Sequence, residues 1–142
     1  MFLTDYSDCT EFKQKIAMEL NDLTYKIRGI FFKVHSTLGP GLLESVYEAA
    51  LMYEFKEAGI KAVSQVGLPV IYNDVKLELG FRIDILVEDR VIVEIKSIEQ
   101  LLDVHKKQLL TYLKLADKEL GLLVNFNAAS LIDKVNLIRI IN

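Results

Sequence analysis

Residues 80–97 read GFRIDILVEDRVIVEIKS, two runs of Ile, Val and Leu on either side of a polar Glu88-Asp89-Arg90. Both runs alternate with period two, which predicts two β-strands joined by a short turn. One face would carry Phe81, Ile83, Ile85 and Val87, then Val91, Val93 and Ile95, and the other Arg82, Asp84, Glu94 and Lys96. Charges on a strand in a protein interior are costly unless they pair or bind an ion. A three-residue loop centred on Asp89 sets Asp84 opposite Glu94 and Arg82 opposite Lys96. A two-residue loop would set Asp84 against Val93 and mix the faces, so the alternation selects the odd-numbered loop. Directly opposed residues have Cβ atoms about 4.5–5.5 Å apart, near enough for two carboxylates to share a divalent cation. A solvated ladder of ion pairs, with Arg82 and Lys96 neutralising Asp84 and Glu94, accounts for the same four charges. The hairpin alone leaves both accounts open.

At 142 residues the chain suits one domain with a real hydrophobic core, and 51% hydrophobic and 26% charged residues fit a soluble globular protein. A net charge of −3 gives no global basic field to attract nucleic acid. Recruitment of phosphate through metal ions and a local basic rim is still open to such a chain. One cysteine, Cys9, allows neither an internal disulfide nor a cysteine zinc site, and points to a reducing cytoplasm. No secretory leader and no apolar run of membrane-spanning length is seen, so no membrane partner is expected.

Residues 1–21 are weakly periodic and read as an N-terminal arm, with residues 22–142 as the folded domain. Asn21 or Asp22 would cap a helix running to about Thr37, with Leu23, Ile27, Ile30, Phe31 and Val34 on one face. Leu38-Gly39-Pro40-Gly41 ends that helix, and a second spans about 42–58 with Leu43, Val46, Tyr47, Ala50, Leu51 and Phe55 as its stripe. Glu44 falls in its first turn, where the helix dipole favours a carboxylate.

Strands over 61–72 and 75–79 flank an Asn73-Asp74 turn. Pairing about that turn aligns Val66, Leu68, Val70 and Tyr72 with Phe81, Leu79, Leu77 and Val75, and Gln65 with Arg82. After Lys96 a helix capped by Asp103 carries His105, Gln108 and Tyr112 as a stripe, with Leu102, Leu109, Leu110, Leu113 and Leu115 as core. Lys106 and Lys107 read as a solvated face of that helix, with contact to phosphate as the other account. Residues 121–126 form a buried strand and 135–141 a last strand at a sheet edge. The order predicts an α/β layer, αβββαβ, with a mixed sheet flanked by helices and an extra N-terminal helix.

Asp84, then Glu94-Ile95-Lys96 on the next strand, with Glu44 on a preceding helix, resembles the PD-(D/E)XK nuclease superfamily. Gly41-Leu42-Leu43-Glu44-Ser45-Val46-Tyr47 resembles the motif that names the GxxExxY family. The likeness continues through Gly80-Phe81-Arg82-Ile83-Asp84 and His105-Lys106-Lys107-Gln108-Leu109-Leu110-Thr111-Tyr112-Leu113. Two departures are visible: Gly67 stands where the family commonly has proline, and Ile83 where the superfamily usually has proline before the acid.

The resemblance implies a restriction-endonuclease-like core and a Mg²⁺- or Mn²⁺-dependent nuclease acting on DNA or RNA. It implies that Asp84, Glu94, the Ile95 carbonyl and Glu44 hold the metal. Lys96 would activate water or stabilise phosphorane charge, and Gln108 would orient nucleophile or phosphate. Tyr47, Gln65, Arg82, His105 and Tyr112 would support the site or bind substrate. A catalytically inactive binding module on the same fold, and a structural salt-bridge network within a larger assembly, are the competing accounts. A homo-oligomer is compatible with all three.

Overall fold

The computed structural model describes residues 6–142. Helix α1 (Tyr6–Leu38) is followed by α2 (Glu44–Glu57), β1 (Ala62–Tyr72), β2 (Val75–Val87), β3 (Val91–Lys96), α3 (Asp103–Ala116), β4 (Leu120–Asn125) and β5 (Leu137–Ile141). Five strands form one sheet in the order β1-β2-β3-β4-β5, antiparallel except for the β3–β4 pair. That parallel pair requires a crossover, which α3 supplies.

The sheet has a core on each face. On one side Ile27, Ile30, Phe31 and Val34 of α1 and Tyr47, Leu51 and Phe55 of α2 cover Ile85, Val87, Val91, Val93, Ile95 and the Leu120-Leu122-Val124 series. On the other, Leu109, Tyr112 and Leu113 of α3 cover Leu68, Ile83, Ile92 and Leu123. β3 and β4 are consequently buried on both faces, as strands in a parallel pair usually are.

Several expectations require correction. Asn21 and Asp22 do not cap a helix: both are exposed within α1, whose buried side continues through Leu20, Thr24 and Ile27 without a breaker. The residues before Tyr6 lie outside those described. Leu43 and Val46 point largely to solvent, as do Leu102 and Leu115. The residue flanking α3 is Leu102, with Asp103 already helical, and β5 begins at Leu137 rather than 135.

The hairpin around Asp89 has the expected register. Ile85, Leu86 and Val87 oppose Val93, Ile92 and Val91, and Glu88 and Asp89 take left-handed backbone angles. The other hairpin keeps the expected register only near its Asn73-Asp74 turn, where Val70 opposes Leu77 and Tyr72 opposes Val75. Between Leu68 and Val70 the register shifts, so Leu68 opposes Phe81, Val66 opposes Ile83 and Gly67 opposes Arg82. Gln65 is therefore not opposite Arg82, and Leu68 is not opposite Leu79, whose side chain lies outside the described residues. Pro69 has no N–H to give to the ladder, and a Cβ on Gly80 would lie 1.9 Å from the Leu68 carbonyl oxygen. Proline on one strand and a side-chain-free residue on the other accommodate the bulge.

A second irregularity falls at Asp84. Ile83 packs under α3 whereas Ile85 packs under α1 and α2, so residues two apart enter opposite cores. The single apolar face expected from Phe81 to Val87 is thus split, and Phe81 instead rests on Tyr112, their rings 5.3 Å apart.

Candidate active site

The backbone ladder between β2 and β3 stops at the Ile85–Val93 pair, and the next pair would be Asp84 and Glu94. Side chains take over the bonding there. The Asp84 N–H donates to Glu94 Oε1 at 3.1 Å, and the Ile95 N–H donates to Asp84 Oδ2 at 2.8 Å. Each carboxylate satisfies a main-chain donor on the opposing strand, which fixes both where the strands part.

Glu94 is only 4% exposed. Burial, and secondarily the neighbouring Asp84 charge, push its carboxyl up to about 8, although the Asp84 N–H and Lys96 pull the other way. Two acids so close, one of them desolvated, share a proton near neutral pH that a bound divalent cation would displace. Tyr112 closes it on the α3 side: burial and then the charges of Glu94 and Asp84 raise its phenol above the ordinary range, while a bond from Gln108 partly offsets this. Lys96 continues β3 by one alternation, and its Nζ lies 3.5 Å from Gln108 Oε1.

On the α2 side the parting strands open into a cavity of about 230 Å³ lined by Glu44, Ser45, Glu48, Gln65, Asp84 and Ile95. Glu44 is the first residue of α2 and is exposed at the rim. It is aimed by the Leu38-Gly39-Pro40-Gly41 turn, in which Gly39 and Gly41 have φ of 69° and 95°. Ser97 Oγ donates to the Leu42 carbonyl at 2.6 Å and ties the same loop to the end of β3. Gln65 reaches the cavity through a left-handed backbone, φ 55°, and its Nε2 donates to Glu48 Oε1 at 2.7 Å.

The structure thus brings Asp84, Glu94, Lys96, Gln108 and Tyr112 together on one side, and Asp84, Glu44, Gln65 and Ile95 on the other. Tyr47 is not in the cavity. It is fully buried, its ring stacked 4.5 Å from Phe126, and its hydroxyl donates to the Gly39 carbonyl at 2.7 Å and accepts from the Leu42 N–H at 3.1 Å. Its place is beneath the loop that presents Glu44. Arg82 lines a separate hollow with Gly67, Lys76 and Phe81. His105 accepts the Leu102 N–H at Nδ1, 2.9 Å, and so braces the start of α3.

Two residues escaped the sequence reading. Glu48 was legible in principle, standing four residues after Glu44 on the same helix. Asn125, paired with Lys96 across β3 and β4, is buried; its Oδ1 accepts the Ile98 and Asn127 N–H groups and its Nδ2 donates to the Ile98 carbonyl. It clips the chain leaving Lys96, and only the fold reveals that.

Among the described residues no three acidic, histidine or cysteine side chains converge into a metal cage. Two carboxylates, each fixed by a main-chain donor of the opposing strand, suffice in kind for a hard ion such as Mg²⁺, which keeps several waters and commonly takes one or two carboxylates plus substrate phosphate. The donor set fits such an ion, with Glu44 set back at the rim.

The sequence profile of the PD-(D/E)XK nuclease superfamily matches residues 21–139. No curated protein and no solved structure gives a match. The mixed sheet flanked by helices is consistent with the restriction-endonuclease-like fold of that group, and among the described residues no helix is long and apolar enough to cross a membrane. With the profile spanning most of its length, the chain belongs to the PD-(D/E)XK nuclease superfamily.

Proposed function

We propose that the protein is a divalent-metal-dependent nuclease, of the GxxExxY kind, that hydrolyses phosphodiester bonds of nucleic acid. The observation that carries this is the pairing of Asp84 and Glu94 through each other's strand, with Lys96 one alternation beyond. A salt-bridge network would neutralise both acids. Here Arg82 lines another hollow, and burial and Asp84 together outweigh the relief that Lys96 gives Glu94.

Asp84 and Glu94 would hold Mg²⁺ or Mn²⁺, with the Ile95 carbonyl as a main-chain ligand and Glu44 acting through water from the rim. When bound, such an ion polarises the phosphate and lowers the pKa of water. The protein's own part is positional. Backbone donors on Asp84 and Ile95 fix the two carboxylates, so little reorganisation accompanies substrate binding. Lys96 stands where it would take a proton from the attacking water or stabilise charge on the phosphorane. Gln108, in reach of both Lys96 Nζ and Tyr112, would hold the Lys96 amino group in line, as neutral amine for proton transfer or as ammonium for charge stabilisation.

Cleavage of single-stranded DNA, duplex DNA and RNA by purified protein with Mg²⁺ or Mn²⁺, beside Asp84→Ala and Lys96→Ala, tests the reading. Cleavage lost in both variants supports it. No cleavage by the parent with either metal, and no metal-dependent rise in thermal stability, would favour an inactive binding module.

A further inference from the structure

A cavity of about 540 Å³ lies around the edge strand β5, apart from the cavity at Asp84. Four cations line it, Arg28 from α1, Lys106 from α3, and Lys134 and Arg139 from the β5 hairpin, in a chain whose net charge is −3. One acid, Asp133, is also present, but both its oxygens are held by Arg28 at 2.5 and 2.9 Å, so that pair is already neutral. Arg139 donates to a neutral acceptor, the Asn21 amide oxygen, at 3.0 Å. Lys106 has a loose 3.8 Å contact with the exposed Asp103, the kind of pair that contributes little. Lys134 stands next to Asp133, which Arg28 already neutralises, so the lining carries a net three positive charges. The partly exposed Ile138, backed by the buried Leu122 and Leu137, gives it an apolar floor.

A cationic rim over an apolar floor fits one nucleotide, phosphate on the rim and base face on the floor. The position also suits a substrate strand. Val124 pairs with Ile95 on one side and with Leu137 on the other, so the start of β5 is two strands from the catalytic end of β3. Two strand spacings are about 10 Å, roughly three nucleotides of a stacked strand at about 3.4 Å each. Lys106 stands on α3 between His105 and Gln108 and links the two places.

We infer that this cavity binds a nucleotide of a single-stranded stretch of the substrate, a few residues from the scissile phosphate, through Lys106, Lys134 and Arg139. This rests on the nuclease reading of the Asp84 site. Single-stranded nucleic acid is specified because a base reaches the floor only when unstacked from a duplex.

The test is equilibrium binding of labelled single-stranded and duplex oligonucleotides by the full chain, with chelator present so that nothing is cleaved. The variant Lys106→Gln/Lys134→Asn/Arg139→Gln removes three charges gently. Asn tolerates the left-handed backbone at 134, φ 67°, and Gln can still donate to Asn21. Single-strand affinity should fall at least tenfold, with a salt slope smaller by about 0.7, the contribution of one phosphate contact on a single strand. Duplex affinity should stay within twofold.

A control variant, Lys26→Gln/Lys56→Gln/Lys61→Gln, removes the same charge elsewhere and should bind as the parent does. Unchanged single-strand affinity in the first variant, or an equal fall in the control, would overturn the inference. Photocrosslinking of a thiouracil-bearing oligonucleotide to the parent guards against a folding defect: adducts should fall within residues 131–139 or at Lys106, and adducts only elsewhere would overturn it. The two readings fail separately. A parent that cleaves while the triple variant binds normally sinks the inference alone, and a parent that binds through this cavity without cleaving sinks the nuclease reading alone. A parent that does neither sinks both.

Discussion

The two ends of β3 differ sharply although they belong to one six-residue strand. From Val91 to Val93 the strand is bonded on both sides by backbone and buried among aliphatic side chains. From Glu94 to Lys96 only the β4 side keeps its ladder, and the β2 side is bonded through the carboxylates of Asp84 and Glu94. The first end gains from burial, while the second holds a desolvated acid beside another acid. Binding potential is built where stability is given up, as expected when a catalytic group must be held in an environment that does not suit it.

The contrast is broken most strongly by substitutions at opposite ends. Lys96→Ala should lower metal-dependent cleavage by about 10²–10³-fold or more while the unfolding midpoint barely moves. Ile92→Ala, four residues earlier, should cost about 2–5 kcal/mol of stability by chemical denaturation yet leave cleavage per folded molecule near that of the parent. If Ile92→Ala abolished activity without loss of stability, the two ends would not be separable.

Glu94 offers the next effect. Its folded-state pKa, about 8, exceeds the ordinary 4.5, so the folded protein holds a proton that the unfolded chain releases between those values. Without divalent cation, stability is therefore greatest below about 4.5 as far as this group is concerned, and declines as pH rises through about 8. Glu94→Gln keeps an acceptor for the Asp84 N–H and removes the charge. It should flatten that slope and raise stability at pH 9 by on the order of a few kcal/mol. A slope identical in parent and variant would show that Glu94 is not its source.

Tyr47→Phe loses both hydroxyl bonds to the loop before α2. A cost of about 1–2 kcal/mol is expected, with cleavage reduced several-fold through a less fixed Glu44; unchanged activity would place Glu44 outside the reaction. Gln65→Gly is the smallest perturbation. Relief of the left-handed backbone and loss of the exposed Glu48 bond should nearly cancel, leaving stability within about 0.5 kcal/mol. Denaturant unfolding reads both stability changes, and the cleavage assay reads the activity of Tyr47→Phe.

Much of the fold was legible because strict alternation fixes register. The Asp89 hairpin and the position of Asp84 against Glu94 followed from the pattern of Ile and Val alone. The bulge did not: two extra residues on β2 between Leu77 and Phe81, where β1 runs from Val70 to Leu68, move Gln65 off Arg82, and nothing in the run from Val66 to Tyr72 except Pro69 advertises it. The change of face at Asp84 was hidden for a related reason, since Ile83 and Ile85 are equally apolar and the two cores compete for them. At Asn21 and Asp22, residues that favour helix caps merely occupy the solvent side of α1, because the packing of Leu20 and Ile27 outweighs cap preference. Tyr47 illustrates the opposite limit. Motif spacing placed it one turn from Glu44, whereas its burial depends on Phe126, distant in sequence.

That stack has an optical consequence. The chain contains no tryptophan and six tyrosines. Tyr47 is fully enclosed, lies nearly parallel to Phe126 at an interplanar angle of 9°, and is bonded at its hydroxyl to the loop that carries Glu44. An aromatic chromophore held so asymmetrically gives near-ultraviolet circular dichroism, and the wild-type protein therefore carries its own dye beneath the cavity rim, reporting without any label when that loop shifts.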